Sequence, residues 1–370
     1  MTRVSDECGA INLSQGFPDF SPPDELLAGS VDAIRGGVNQ YAITWGSANI
    51  REALAAKIYE WYHMDVCPRE NLTVACGATE AMAAVLLAIV DPGDEVVVME
   101  PFYENYGPDT EICGAKPVYA PLSPGTWDID FERLEAAFSP KTRAVIVNTP
   151  NNPSGRVFGR SALERIAELC HRYDAYAITD EIYEHILYDG LEHVPMATLP
   201  GMAERTITLS GASKTFSVTG WRIGWIIANR DVSSAVRKVH DFLTVGAPAP
   251  LQEGVAAGLR LLPPDYYTDL SAEYEARRDL LYPALVEAGF KAARPEGAYY
   301  VLADFSGLSD QPDDQFALWL AREVGVTPVP GSSFFSSPDS GRHLVRFAFC
   351  KTEGMLRQAV ERLSAVGSLL

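Results

Sequence analysis

Positive charge is scarce in this chain: 30 lysines and arginines stand against 49 aspartates and glutamates, a formal net charge of −19. A nucleic-acid backbone needs a basic face, so this balance argues against nucleic acid as a partner. It bears on solubility more than on substrate. Cysteine is sparse too. The six residues Cys8, Cys67, Cys76, Cys113, Cys170 and Cys350 are scattered, with no Cys-x-x-Cys pair and no His/Cys cluster. That spacing argues against a disulfide framework and against a structural metal, so the thiols are expected reduced and mostly buried, and no metal site is expected. No apolar run reaches roughly 18 residues, so no membrane partner is expected. Residues Met1 to Glu7 carry acid and lack an apolar core, which gives no sign of a secretory signal and makes the cytoplasm the expected compartment.

What is present points to an enzyme. The chain has 370 residues, 47% hydrophobic and 21% charged, enough for a sizeable core and two domains. Its most informative stretch is Ser210-Gly211-Ala212-Ser213-Lys214-Thr215-Phe216-Ser217-Val218-Thr219-Gly220-Trp221-Arg222-Ile223-Gly224. One lysine sits among small residues, with an arginine eight positions downstream. A lysine that condenses with an aldehyde must shed its proton and let the carbonyl approach, so it needs small neighbours. An arginine fork suits a dianionic phosphate, which it binds bidentately. Together they suggest pyridoxal phosphate held at Lys214. A solvated lysine in a Ser/Gly loop is the competing reading, and other residues must decide.

Short apolar runs alternate with helical patterns through the middle of the chain. Leu72–Val74, Glu95–Met99, Ala144–Asn148, Ala175–Thr179, Thr206–Leu209 and Trp225–Ala228 read as strands, apolar on both faces as in a parallel sheet. Ala78–Val90, Phe131–Phe138 and Ser161–Tyr173 read as helices between them, so an α/β doubly wound core is expected. After about Val232 the pattern changes. Helical stretches run through Glu253–Leu262 and Tyr266–Ala288, strands are expected over Ala298–Ala303 and His343–Phe349, and a last helix begins at Thr352. This reads as a smaller α+β domain to which the N-terminal residues contribute.

Ligands of open α/β sheets bind beyond the carboxyl ends of the strands, and the suggestive residues fall there. Asp180 directly follows the strand Ala175–Thr179, where a carboxylate suits a protonated pyridine nitrogen, and Tyr183 comes next as a donor to a phenolic oxygen; Asp180 as a helix cap is the alternative. Asn152 lies in the loop Asn148–Gly155, able to donate and accept, although two prolines also make that loop a rigid turn. Cys76-Gly77-Ala78-Thr79 leads into a helix whose first N–H groups, those of Ala78 and Thr79, suit an anion, in competition with ordinary capping. Tyr103 is the aromatic chosen to stack on a ring, with core packing as its usual fate. Arg346, inside the apolar run His343–Phe349, needs a partner: a substrate carboxylate or a structural salt bridge.

In this order and spacing the motifs resemble the pyridoxal-phosphate-dependent aminotransferases of class I/II, fold type I, over about Ile11 to Leu363. Asn12-Leu13-Ser14-Gln15-Gly16-Phe17-Pro18-Asp19-Phe20, Asn39-Gln40-Tyr41 and Glu296-Gly297-Ala298-Tyr299-Tyr300 carry a narrower likeness to the kynurenine, glutamine–phenylpyruvate and methionine aminotransferase branch, with the cysteine-conjugate β-lyases. The resemblance implies a large cofactor-binding domain over 38–255 with a mostly parallel sheet flanked by helices, and a small α+β domain from 1–37 and 256–370. It implies that Lys214 carries the cofactor and shuttles the proton, that Asp180 pairs with the pyridine nitrogen, and that Tyr183 and Asn152 hold the phenolic oxygen. Tyr103 would stack on the ring. Arg222, Ala78 and Thr79 would bind phosphate, with Tyr41 of a neighbouring subunit, so a homodimer is implied. Arg346, Asn152 and the backbone of Gly16 would hold the substrate carboxylate.

Four departures matter. Gly211 stands where the family often has serine, so a hydroxyl for the phosphate must come from Ser210 or Ser213, or is missing. Val245-Gly246 lack the aromatic and histidine of the kynurenine branch. Thr79 replaces a frequent tyrosine. Only about ten residues precede Ile11. The expected activity is ping-pong transamination from an L-amino acid to a 2-oxo acid, with a neutral donor such as glutamine, methionine or an aromatic. Cysteine-conjugate β-elimination, aspartate-type transamination and a non-catalytic cofactor-binding regulator are the alternatives.

Overall fold

The computed structural model describes residues 1–369. Seven strands form the larger sheet: β1 (Leu72–Ala75), β2 (Glu95–Glu100), β3 (Lys116–Pro121), β4 (Thr142–Asn148), β5 (Tyr176–Asp180), β6 (Thr206–Gly211) and β7 (Gly224–Ile227). Their spatial order is β1-β7-β6-β5-β4-β2-β3. β7 runs antiparallel to both neighbours, and every other pairing is parallel.

The unbroken apolar runs follow from covering both faces. Side chains alternate across a strand. Val97, Val145, Val147 and Ala177 pack on one side with Leu163, Ile166 and Cys170 of the helix Arg160–Tyr173. Val96, Val98, Ile146, Ile178 and Ile207 pack on the other with Ala81, Val85, Leu86 and Ile89 of the helix Gly77–Ile89. The edge strand β3 differs. It is partly exposed and holds Pro117 and Pro121, so its pattern did not read as a strand.

Register brings the functional ends to one level. Asn148 pairs with Asp180, Asp180 with Leu209, Gly211 with Gly224, and Ala75 with Gly224. The last residues of β1, β4, β5 and β6 therefore border one rim, as expected for a switch-point site.

The smaller sheet is antiparallel, ordered Val329–Pro330, Leu344–Ala348, Tyr300–Asp304, Lys291–Ala292. Arg346 pairs with Leu302 and Val329, so Tyr300, Leu302 and Arg346 share one face, two residues apart. Near the N-terminus, Ile11–Asn12 pairs in parallel with Val326–Thr327. That pairing carries Ser14 and Gly16 to the rim. The helix Asp265–Glu287 runs through Pro283, close to the stretch expected from the sequence.

Candidate active site

Sixteen residues line a cleft at this rim, with about 670 Å³ of open space. Of the residues singled out from the sequence, Ala78, Thr79, Tyr103, Asn152, Asp180, Tyr183, Ser213, Lys214 and Arg222 border it together. Met82, Asn105, Tyr106, Asn148, Ile182, Thr219 and Tyr300 complete the wall.

Lys214 sits in the single turn Ala212–Thr215 that continues β6, and its neighbours Ala212, Ser213 and Thr215 are buried. Lys214 keeps partial exposure. Its Nζ donates to the Gly16 carbonyl at 3.1 Å and lies 5.8 and 5.5 Å from the ring centres of Tyr183 and Tyr299. Burial pushes the ammonium down to about 8; the guanidinium groups of Arg346 and Arg222 act in the same direction, against Cys350 and Asp180. A neutral amine is thus within reach near neutrality, as a nucleophile or a base requires.

Asp180 is buried at the end of β5. Its Oδ2 accepts from Tyr106 Oη at 2.7 Å and its Oδ1 from the Ile182 backbone N–H at 3.3 Å. Burial raises its carboxyl above the ordinary range, while the Tyr106 and Ile182 bonds and the Lys214 charge hold it down. Turns rather than a helix follow it, so the capping alternative reduces to the one bond to Ile182. Asn148, opposite in register, donates to the Asp180 carbonyl at 2.9 Å and accepts from the Asn152 N–H at 2.8 Å. Asn148 closes an apolar strand at the same level as Asp180, a signal the sequence carried unused.

On one flank the helix Gly77–Ile89 begins with no side chain capping its first N–H groups. Gly77 has φ +83°, and a Cβ there would lie 2.3 Å from Arg222 Nη2. Glycine therefore lets the guanidinium lie against the helix start, and anion-binding N–H groups and a cation converge. Gly211 is extended rather than strained; a Cβ would meet the Ile223 carbonyl at 3.0 Å and Ile182 Cδ1 at 3.1 Å. Packing between β5 and β7 thus favours the absence of a side chain. Ser210 donates to Glu184 at 2.8 Å and faces away, whereas Ser213 borders the cleft.

On the opposite flank the small sheet presents Arg346. Its Nη1 donates to Asn152 Oδ1 at 2.8 Å and its Nη2 to the Ser14 carbonyl at 3.0 Å. The guanidinium lies 4.3 Å from the Tyr300 ring centre and 4.7 Å from that of Phe334. Among the described residues no carboxylate lies within 4.0 Å of Arg346, which is only 7% exposed. Its Nε has no partner. The structural salt bridge expected as an alternative is not formed, and a charge this buried calls for an anion.

Gly16 contributes its carbonyl, which accepts from Lys214 and, at 2.8 Å, from Tyr299 Oη. Tyr41 lies elsewhere. It is 85% exposed, in a separate surface hollow with Val245 and Gly246.

A flat aromatic ring bearing an aldehyde and a phosphate fits this donor set. Arg222 lies against the helix start, and Tyr103, Asp180, Tyr183, Asn152 and Lys214 border the same cleft.

Comparison with known proteins follows the same line. The family model for Aminotransferase class I and II matches residues 9–363. The N-succinyldiaminopimelate aminotransferase structure from Mycobacterium tuberculosis is 40% identical, with a TM-score of 0.96, covering 99% of this chain and 96% of that one. YbdL from Escherichia coli, whose structure and reactivity identify a methionine aminotransferase function, is 36% identical with a TM-score of 0.94, over 98% and 94%. Human kynurenine–oxoglutarate transaminase 1 is 35% identical, over 98% of this chain and 93% of its own.

Proposed function

The chain belongs to the class I and II aminotransferases, enzymes dependent on pyridoxal phosphate, and on that premise we propose that it moves the amino group of a neutral L-amino acid to a 2-oxo acid. Methionine, glutamine and aromatic amino acids are the donors meant. One observation carries the substrate class. Among the described residues the cations bordering the cleft are Lys214 and Arg222, with Arg346 bonded to Asn152 and stacked on Tyr300, and in this reading each has a task other than a side-chain carboxylate.

In this reading pyridoxal phosphate held here would supply an electron sink for the substrate Cα and a carrier for the amino group. Arg222, Ser213 and the N–H groups of Ala78 and Thr79 bind its phosphate, with Tyr41 from the other subunit of a homodimer. Tyr103 covers the ring. Asp180 holds a proton on the pyridine nitrogen, and Tyr183 and Asn152 donate to the phenolic oxygen. Arg346, aided by Asn152 and Gly16, grips the α-carboxylate bidentately and turns the Cα–H bond toward Lys214. Lys214 Nζ would take that proton and return it on the far side of the amino nitrogen. Proton transfer by a positioned group contributes roughly 10²–10⁴-fold.

A second reading has a specific basis: the 40% identity to the N-succinyldiaminopimelate aminotransferase favours a succinylated diamino acid as donor. A screen of the cofactor-loaded protein against single amino acids, including that compound, separates the two. Loss of the visible cofactor band with methionine, glutamine or an aromatic donor, and release of the matching 2-oxo acid, is the expected result. Reaction with the succinylated donor alone would move the assignment to the second reading. Pyruvate and ammonia released from a cysteine conjugate without an acceptor would replace transamination by β-elimination.

A further inference from the structure

We propose that Tyr300 is a positioning residue that turns the hydroxyl proton of Tyr183 toward the phenolic oxygen of the bound cofactor, and so sets the pH at which that cofactor loses its proton. The proposal rests on reading Tyr183 as the donor to that oxygen.

The two hydroxyl oxygens lie 3.1 Å apart. Their rings are almost perpendicular, 86° between planes with centres 6.0 Å apart, and both residues are buried. Among the described residues each hydroxyl has the other as its sole hydrogen-bond partner. Such a pair has two arrangements. When Tyr183 donates to Tyr300, its proton is unavailable to the cleft. When Tyr300 donates to Tyr183, the Tyr183 proton is free for a third oxygen, and both protons are used.

Two features select the second arrangement. The Arg346 guanidinium, 4.3 Å over the Tyr300 ring, favours the anionic form of that phenol and so makes its hydroxyl more acidic. Burial raises Tyr300 to about 12 although Arg346 pulls it down, whereas burial drives Tyr183 well above its ordinary value with Tyr300 adding to the rise. Tyr300 is thus the stronger acid and the better donor. Sterically, the Tyr300 hydroxyl is wedged against the N-terminal segment: a Cβ on Gly16 would lie 2.0 Å from it. It has little room to swing away from Tyr183.

A hydrogen bond donated to the phenolic oxygen favours its anionic form, and two hydroxyls in series polarise one another. Removing the outer hydroxyl therefore weakens the inner donation, and the bound cofactor keeps its proton to higher pH.

The test is a pH titration of the visible absorbance of the bound cofactor, without substrate, with cofactor affinity measured in parallel. It compares the native protein with Tyr300→Phe, Tyr183→Phe and the double variant. Tyr183→Phe is expected to raise the midpoint. Tyr300→Phe raises it less, by about half a unit to one unit, the equivalent of one ordinary hydrogen bond. Added to Tyr183→Phe, it changes nothing further. Gly16→Ala, which presses on the same hydroxyl, is a second variant expected to move the midpoint upward. An unmoved midpoint in Tyr300→Phe beside a raised one in Tyr183→Phe overturns the proposal and leaves the Tyr183 reading standing. Equal shifts from Tyr300→Phe in both backgrounds overturn it as well, because Tyr300 would then act without Tyr183. If Tyr183→Phe itself leaves the midpoint unmoved, the reading beneath the proposal fails, and the proposal with it.

Discussion

Tyr106 Oη donates to Asp180 Oδ2 at 2.7 Å with both groups buried, so the carboxylate at the end of β5 is held by the first residue of the helix Tyr106–Ile112, which follows β2. A neutral donor to a buried carboxylate favours its charged form. It also fixes which oxygen remains for the cleft.

Replacing Tyr106 with phenylalanine removes that bond. Burial is then opposed only by Ile182 and Lys214, and the Asp180 carboxyl rises further. On the proposed role of Asp180, the protonated carboxyl would no longer support a charged pyridine nitrogen, so the acid limb of the kcat/KM profile should move to higher pH. The lost bond to a charged group is worth about 1.5–3 kcal/mol. A pH–rate profile of Tyr106→Phe checks the direction.

Lys214, lowered to about 8 by burial, must be neutral to attack an aldehyde. Below that value each pH unit cuts the neutral fraction about tenfold. Uptake of pyridoxal phosphate by the cofactor-free protein should therefore accelerate as pH rises and level off above about 8. Stopped-flow absorbance reads this directly. Lys214→Ala should lose the proton-transfer contribution, about 10²–10⁴-fold in the half-reaction.

Arg346→Lys keeps the charge but loses the planar fork. Disrupting a buried, hydrogen-bonded charge pair costs about 2–5 kcal/mol, so kcat/KM for amino acids should fall by roughly 30-fold to several thousandfold. An amine substrate without a carboxylate should show little of that loss. Steady-state assays with matched amino acid and amine make the comparison.

A buried ion pair braces the turn that carries Tyr183. Lys57 Nζ lies 2.6 Å from Glu184 Oε2, Tyr62 Oη donates to the same oxygen at 2.5 Å, and Ser210 donates to Oε1 at 2.8 Å. Burial opposes ionisation of Glu184, but Lys57, with His185 and His193, overcomes it and holds the carboxyl well below the ordinary range. A depressed carboxyl contributes stability above its unfolded value, about 4.3, and loses it as pH falls toward the folded value. Urea midpoints of the native protein should therefore drop below about pH 4.3. Glu184→Gln leaves Lys57 buried and unpaired, a loss of about 3–5 kcal/mol, and should flatten that pH dependence.

The strands were legible because apolar character on both faces of β2, β4 and β5 requires helices on both sides. The helices Asp24–Arg35 and Ala48–Tyr62 were not read, although Ser47 caps the second by accepting from Ile50 N–H. The second helix buries Arg51 and Lys57 beside Ile50, Ala53, Leu54 and Ile58, which blurs the apolar stripe that marks a helix in sequence. Tyr106 stood in a segment already marked for its aromatics, yet only Tyr103 was singled out. Nothing in the spacing says which of two tyrosines turns toward Asp180.

The sequence was enough for the cofactor and the family: Lys214, Arg222, Asp180 and Asn152 fall near strand ends that local pattern makes visible, and their order and spacing carry the resemblance to the class I/II aminotransferases. Tertiary structure alone decided that Arg346 meets Asn152 without a carboxylate, that Tyr300 meets Tyr183, and that Lys57 meets Glu184. Those contacts join residues 194, 117 and 127 positions apart. They depend on how the small sheet and the helix Ala48–Tyr62 pack around the rim, which local periodicity does not encode.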